Sequence, residues 1–207
     1  MKLVLVRHGE SDGNAGNSFE GPEPHLTARG RRQAGFAAER ARARPYAALY
    51  VSPMSRALET ACALAATTGL QPTVFVDLCE HRELPDFRGF SRSLLEARYP
   101  TVTLPEVCTE DGWWSGELEC EEALYDRAHR ATALLRERHE GSDDRVLVVT
   151  HGGFGSALVS VLLGLPPCGY MRFWHDNCAF TRLDLVPGAA QLRKLNCTWH
   201  FPSHERT

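Results

Sequence analysis

Two short apolar runs dominate the hydropathy pattern, and each stops at a histidine. Leu3 to Val6 and Arg145 to Thr150 (RVLVVT) are unbroken and rich in β-branched residues, as in strands buried on both faces of a parallel sheet. Ala47 to Val51 and Pro72 to Val76 read as two further strands. Helical patterns separate them. One follows Thr27, a residue suited to an N-cap, and runs toward Pro45; another is predicted from Ser55, as its cap, to about Thr68, where Gly69 stops it. A long helix is predicted over Glu121 to His139, ended by Gly141, and an apolar one over Gly155 to Leu163. Two late strands, Phe180 to Val186 and Gln191 to Trp199, read as a hairpin across Pro187 and Gly188. Gly13 to Pro24 reads as a surface loop.

Strand–helix alternation of this kind predicts an α/β three-layer sandwich, with a mostly parallel central sheet flanked by helices. The stretch from Asp77 to Glu119 breaks the rhythm with prolines and an EDGWWSGE segment. It is expected to be an insertion, a small lid of about residues 80–120 with one short helix near Ser91 to Tyr99, lying over the carboxyl edge of the sheet. With 207 residues, the whole chain is expected to form a single domain.

Composition narrows the function classes. Hydrophobic content of 43% and charged content of 24% suit a packed globular chain, and a net charge of −3 argues against a nucleic-acid binder. The six arginines from Arg29 to Arg44 read as a solvated helix face. The first apolar run is too short for a signal peptide and no run is long enough to span a membrane, so a cytoplasmic setting is expected. Seven cysteines without CxxC spacing read as reduced thiols, with no disulfide framework and no cysteine-rich zinc site.

The chemistry gathers at strand ends, where open α/β sheets bind ligands. The first run delivers Arg7, His8 and Gly9; the second delivers His151 and Gly152. The two histidines stand 143 positions apart, yet adjacent parallel strands would bring them together. A neutral imidazole is a competent nucleophile toward phosphorus, and a second imidazole can donate to phosphoryl oxygens. Arg7 and Arg56 supply planar, permanently charged forks that match phosphate, and helix amino ends beyond Ser55 and His151, Gly152 included, add amide donors. Glu80, just after the third strand, is placed to act as acid and then as base. Glu83 remains a rival for that role. Two histidines without a neighbouring carboxylate or cysteine make a weak case for zinc, and no metal or cofactor is expected.

These residues resemble those of a known family. RHGES with Asn14 six positions after His8, HLTARGRRQA, SPMSRALETA and VTHGG are similar to the motifs of the histidine phosphatase superfamily, the phosphoglycerate mutase-like enzymes. The resemblance implies a phosphomonoesterase working through a phosphohistidine on His8, with Arg7, Asn14, Arg56, His151 and Gly152 around a small-molecule phosphate monoester. Glu80 corresponds to the family's L-x-E glutamate, but HRELPDFRGF replaces the usual continuation, which leaves the register loose. Asn177 roughly matches a late family asparagine, and His175 lies beside it. The phosphatase branch is favoured because the mutases' longer insertion, with its Arg-His-Tyr-Gly run, is missing. Mutase-type phosphoryl transfer and a non-catalytic phospho-ligand module on the same fold remain the alternatives.

Within the lid, Arg82, Arg88 and Arg92 are candidates for contacting extra anionic groups, and Trp113 and Trp114 for an apolar wall. For each, packing for the lid's own stability is an equal alternative. The physiological substrate and the oligomeric state are not fixed by any of these features.

Overall fold

The computed structural model describes residues 1–18, 23–83, 85–139 and 141–207. Six strands form one sheet in the order β3-β2-β4-β1-β5-β6: β1 Lys2–Arg7, β2 Ala48–Val51, β3 Pro72–Val74, β4 Arg145–Thr150, β5 Phe180–Val186 and β6 Ala189–Cys197. The first four in that order are mutually parallel, and β5 and β6 close the other edge antiparallel. Helices α2 (Ala28–Arg42) and α3 (Ser55–Thr68) cover one face; α5 (Glu121–His139) and α6 (Gly152–Leu162) cover the other. Two short helices, α1 (Asp12–Ala15) and α4 (Arg92–Arg98), lie outside these layers. The expected α/β three-layer sandwich is present.

Strand periodicity sets the layers. Val4 and Val6 join the core beneath α2 and α3, and Leu3 and Leu5 join the core beneath α5 and α6. On α2 the buried side chains are mostly alanines (Ala34, Ala37, Ala38, Ala41), so that helix lies close against α3 and the sheet. Its first turn is tighter still. A Cβ on Gly30 would overlap the Glu10 carbonyl, and one on Gly9 would strike the Gly30 carbonyl oxygen at 2.5 Å. The loop leaving β1 is thereby clamped beneath α2.

Several boundaries differ from the sequence reading, each for a long-range reason. Asp12–Ala15 is a helical turn inside the expected loop; its N-cap is Ser11, and residues 19–22 of that loop lie outside the described residues. β3 stops at Val74 because its partner β2 stops at Val51, and the chain turns into a 3-10 segment, Val76–Leu78. β6 begins at Ala189 and ends at Cys197, opposite the first residue of β5. Met54, not Ser55, is the N-cap of α3, without a side-chain cap bond. Ser55 instead gives both its N–H (2.5 Å) and its hydroxyl (2.9 Å) to Glu23, from 32 residues away. α6 starts at Gly152 rather than Gly155, for a reason that belongs to the site.

The insertion carries its predicted short helix, α4, whose N-cap Ser91 accepts from the Leu94 amide. Phe87, Phe90, Leu95, Tyr99, Val102, Cys108 and Trp113 share the core of α2 and α3, so this segment is packed in rather than loosely draped. Thr103 lies alongside the edge strand β3, taking the Val74 N–H on its carbonyl at 2.9 Å. No helix among the described residues is long and apolar enough to cross a membrane.

Candidate active site

β1 and β4 are neighbours in register, Arg7 opposite Thr150, and the helices that follow them depart to opposite faces. That is the crevice at which an open sheet binds its ligand. The His8 N–H donates to Thr150 O at 2.9 Å, and the His8 and His151 rings stand 5.0 Å apart between centroids. The two imidazoles separated by most of the chain therefore meet at one point.

Hydrogen-bond partners fix the tautomer of His8. Arg56 Nε, which can only donate, is 3.1 Å from His8 Nε2, so that nitrogen is bare. His8 Nδ1 carries the hydrogen and donates to Gly9 O at 2.7 Å. Ser52 Oγ accepts from the Met54 amide at 3.3 Å and lies 2.7 Å from His151 Nε2. That hydroxyl can serve Nε2 as donor or as acceptor, and His151 Nδ1 is buried without a partner. His8 is only 2% exposed. Burial, then the nearby Arg56 and Arg7, hold its proton affinity well below the ordinary histidine value. Burial and Arg56 do the same for His151.

Arg7 and Arg56 flank the histidines. Arg7 Nη1 donates to His175 O at 2.7 Å, and its buried Nε has no partner. Arg56 is buried, and desolvation lowers its pKa to about 10. Thr60 sits a turn further along α3; its hydroxyl donates to Arg56 O at 2.7 Å and accepts the Gly9 N–H at 3.1 Å, tying α3 to the β1 exit. Gly152 is the first residue of α6, and a Cβ there would lie 3.5 Å from Arg7 Nε.

Glu80 caps that helix. Its Oε1 accepts the Phe154 N–H at 2.7 Å and the His81 N–H at 2.9 Å, and its Oε2 accepts the Gly153 N–H at 3.1 Å. A carboxylate at a helix amino end satisfies donors the helix cannot, which lets the two glycines join the first turn. Glu80 also acts electrostatically on Arg7, Arg56 and His175. Glu83, its rival in the sequence, faces solvent and pairs with His81 at 3.4 Å.

Asn177 and Asn14 support the exit of β1. Asn177 Nδ2 donates to His8 O at 2.9 Å and to Asn14 Oδ1 at 3.4 Å. His175 is buried with Nδ1 at 3.1 Å from Thr181 Oγ1, and burial lowers its pKa to about 4. Of the lid candidates, only Arg82 is buried beside the site. Arg88 is exposed, with its guanidinium near Gly116. Arg92 is spent on Glu96 and on the Pro105 and Cys108 carbonyls. Trp113 packs edge-on against Phe87 and closes over Gly89, while Trp114 donates to Glu117 O.

Sequence reasoning did not single out Ser52, Glu23, Thr60 or Arg127. Ser52 was detectable as the strand-end residue opening SPMSR; the others act across distances of 30 residues or more, without a local pattern. Among the described residues, no group of three or more His, Cys, Asp or Glu is disposed to hold a metal ion.

The chain is similar to several known proteins over most of its length. A glucosyl-3-phosphoglycerate phosphatase of Mycolicibacterium vanbaalenii is 32% identical over 204 residues, covering 91% of this chain and 88% of that protein. A Salmonella choleraesuis protein with the provisional name phosphoglycerate mutase GpmB is also 32% identical, over 89% of this chain and 85% of its own. Among solved structures, a mycobacterial glucosyl-3-phosphoglycerate phosphatase complexed with VO3 superposes with a TM-score of 0.69 at 27% identity, covering 95% and 99% of the two chains. The alpha-ribazole phosphatase of Shigella flexneri gives 0.72 at 25% identity, covering 95% and 96%. The sequence pattern of the histidine phosphatase superfamily (branch 1) matches residues 3–198, and the chain belongs to that family.

Proposed function

We propose that this protein is a phosphomonoesterase that hydrolyses a small phosphate monoester through a phosphohistidine on His8. One observation carries the reading: a buried, neutral imidazole presents its bare Nε2 between a guanidinium and a second imidazole. Such a nitrogen is a nucleophile, and the groups around it suit the three outer oxygens of a phosphoryl group.

In the first step His8 Nε2 attacks phosphorus, the ester P–O bond breaks, and the leaving oxygen takes the proton of the Glu80 carboxyl. The phosphoryl group then rests on Nε2 while Nδ1 keeps its hydrogen on Gly9 O. In the second step Glu80, now a carboxylate, takes a proton from water as that water's oxygen attacks phosphorus. The P–N bond breaks, its electron pair returns to Nε2, and inorganic phosphate leaves. Arg7, Arg56, His151 and the Gly152 end of α6 hold the transferred oxygens, where each preorganised donor is worth about 10²–10³ in rate. Asn14 and Asn177 keep the β1 exit in place. The seven unpaired cysteines suit a reducing, cytoplasmic setting.

The test is turnover of p-nitrophenyl phosphate and acid-labile phosphate on a His8-containing peptide after rapid quench. His8→Ala lowers kcat by about 10⁴-fold or more and abolishes the labelled peptide. Glu80→Gln lowers kcat by about 10²–10⁴-fold. Hydrolysis by His8→Ala at the wild-type rate overturns the reading; interconversion of phosphoglycerate isomers without free phosphate replaces it with a mutase.

A further inference from the structure

At the amino end of β1, opposite the end that leads to His8, strand register gathers cations on the α2 face of the sheet. Val4 and Val6 face α2, and Lys2 follows the same alternation. Arg145 pairs with Lys2, Arg182 with Val4, and Lys194 with Arg182, so these side chains share that face. Helix α2 stops at Arg42, and Arg40 and Arg44 close over the same corner. Between them lies a cavity of about 230 Å³ whose charged lining is Arg40, Arg44, Arg145, Arg182 and Lys194, with no carboxylate among the described residues. The rest of the α2 arginine run is satisfied locally. Arg29, Arg32 and Arg42 pair with Glu10, Glu205 and Glu39, and Arg31 donates to the Leu26 carbonyl.

Arg40 is the least accommodated of the five. Its guanidinium carbon lies 4.5 Å from the Phe180 ring centre and 4.1 Å from that of Trp199. Its Nη1 is buried without a hydrogen-bond partner, and burial lowers its pKa. Only Arg182 has a counter-ion, donating two bonds to Asp184 at 2.9 and 2.8 Å. Arg40, Arg44, Arg145 and Lys194 form no ion pair among the described residues, and the neighbouring carboxylates Asp143 and Asp144 hold Lys2 and His139. Four uncompensated positive charges thus border one small cavity in a chain of net charge −3. A concave cluster of one sign concentrates its field on an anion. Trp199 is 67% exposed, with Arg40 over its ring, which leaves aromatic surface open at the mouth of the cavity.

We propose that this cavity is a second ligand site, separate from the histidine cleft, which takes the polyphosphate chain of a nucleotide and stacks its base on Trp199. None of Arg7, His8, Arg56 and His151 lines it. Guanidinium forks match phosphate oxygens in pairs, and a run of phosphates can engage several cations that a single carboxylate cannot. Stacking on an aromatic side chain suits any base, because every base has a π face. Inorganic polyphosphate offers the same chain without the ring, so it would leave Trp199 uncovered.

The experiment is calorimetric titration of the non-hydrolysable β,γ-imido analogue of ATP, and of tripolyphosphate, without divalent cations. The proteins are wild type, the double variant Arg145→Gln/Lys194→Gln, Trp199→Leu and Arg56→Gln. Wild type should bind the nucleotide about 10-fold more tightly than tripolyphosphate, the gain from one stacked base. The double variant, short of two charged donors, should weaken both ligands by about 100-fold. Its far-UV circular dichroism and p-nitrophenyl phosphate turnover should equal those of wild type, which shows an intact fold and cleft. Trp199→Leu should erase the nucleotide's advantage and leave tripolyphosphate binding in place. Arg56→Gln should leave both affinities within about 2-fold of wild type. Absence of binding to wild type, or binding undiminished in the double variant, overturns the proposal. So does loss of binding in Arg56→Gln, which would put the ligand in the His8 cleft. Equal wild-type affinities for the two ligands overturn the assignment to a nucleotide.

Discussion

His8 and His151 hang from two parallel strands that share six consecutive register pairs, while Glu80 and Arg82 lie on a segment with no strand of its own. On the strand side, geometry is set by backbone ladders and by a buried core on both faces of the sheet. On the insertion side, one guanidinium does the corresponding task. Arg127 of α5 is fully buried and spends its five N–H donors on Glu119 (2.7 and 2.6 Å) and on the carbonyls of Asp77, Cys79 and Glu80 (2.8, 2.6 and 3.3 Å). It stacks on Phe154 of α6 at 4.5 Å. The candidate nucleophile is thus held by many weak, redundant constraints, and the candidate acid–base by a few strong ones.

Arg127→Ala is therefore the sharpest way to break the comparison. It leaves the Glu119 carboxylate buried without its partner and three carbonyls without donors. Removing one member of a buried ion pair costs about 3–5 kcal/mol. Urea denaturation should show a loss in that range, with activity falling further than the folded fraction as Glu80 loses its anchor. Replacing both partners with apolar residues of similar volume should restore much of the stability but not the activity. A loss below about 1 kcal/mol would mean that the insertion is held by its aromatic core instead.

The contrast also explains what was legible in the sequence. Strand runs ending in RHG and THG carry their own signal, because period and position predict both the strand and where its end lies. The insertion's geometry comes from Arg127 reaching Asp77 and Cys79 across about fifty residues, which no local pattern records. The same holds for α6: Gly152 and Gly153 read as loop because glycine weakens helices, yet Glu80 caps them from 73 positions away. Ser55 looks like an N-cap by type, but Glu23 takes that role from outside the helix. Of three lid arginines alike in sequence, only burial separates Arg82 from Arg88 and Arg92.

A second way to sharpen the comparison is pH. His8, His151 and His175 are all buried neutral in the strand-side half, with proton affinities below the ordinary value near 6.5. Unfolded, each would take a proton as the pH falls through 6.5; folded, His175 resists until about pH 4. In that window the unfolded chain binds more protons, so stability is intact above pH 6.5 and declines toward pH 4. For His175 alone the decline amounts to about 3 kcal/mol. Thermal unfolding at constant ionic strength should show Tm falling across this range, with a shallower slope in His175→Asn. An equal slope in wild type and variant would assign the decline to other groups.

The smallest expected effect lies at Arg88, the lid arginine the structure leaves in solvent. Its backbone carbonyl accepts from the Trp113 and Trp114 amides at 2.8 and 3.2 Å, and alanine keeps that carbonyl. Its guanidinium lies over Gly116, 3.6 Å from where a Cβ would stand, outside the groups that surround His8. Surface substitutions away from caps, cores and buried charges stay within about 0.5 kcal/mol. Arg88→Ala should therefore match wild type in urea midpoint and in kcat/KM on p-nitrophenyl phosphate. A loss of activity would instead mean that the insertion closes further over the substrate and brings Arg88 to it. The fixed, locally bonded Arg88 backbone opposes such a movement, because Gly112, at φ 105°, already packs where a Cβ would overlap the Arg88 carbonyl oxygen. That turn locks residues 88 and 112 together, leaving the Arg88 side chain only the solvent in which to move.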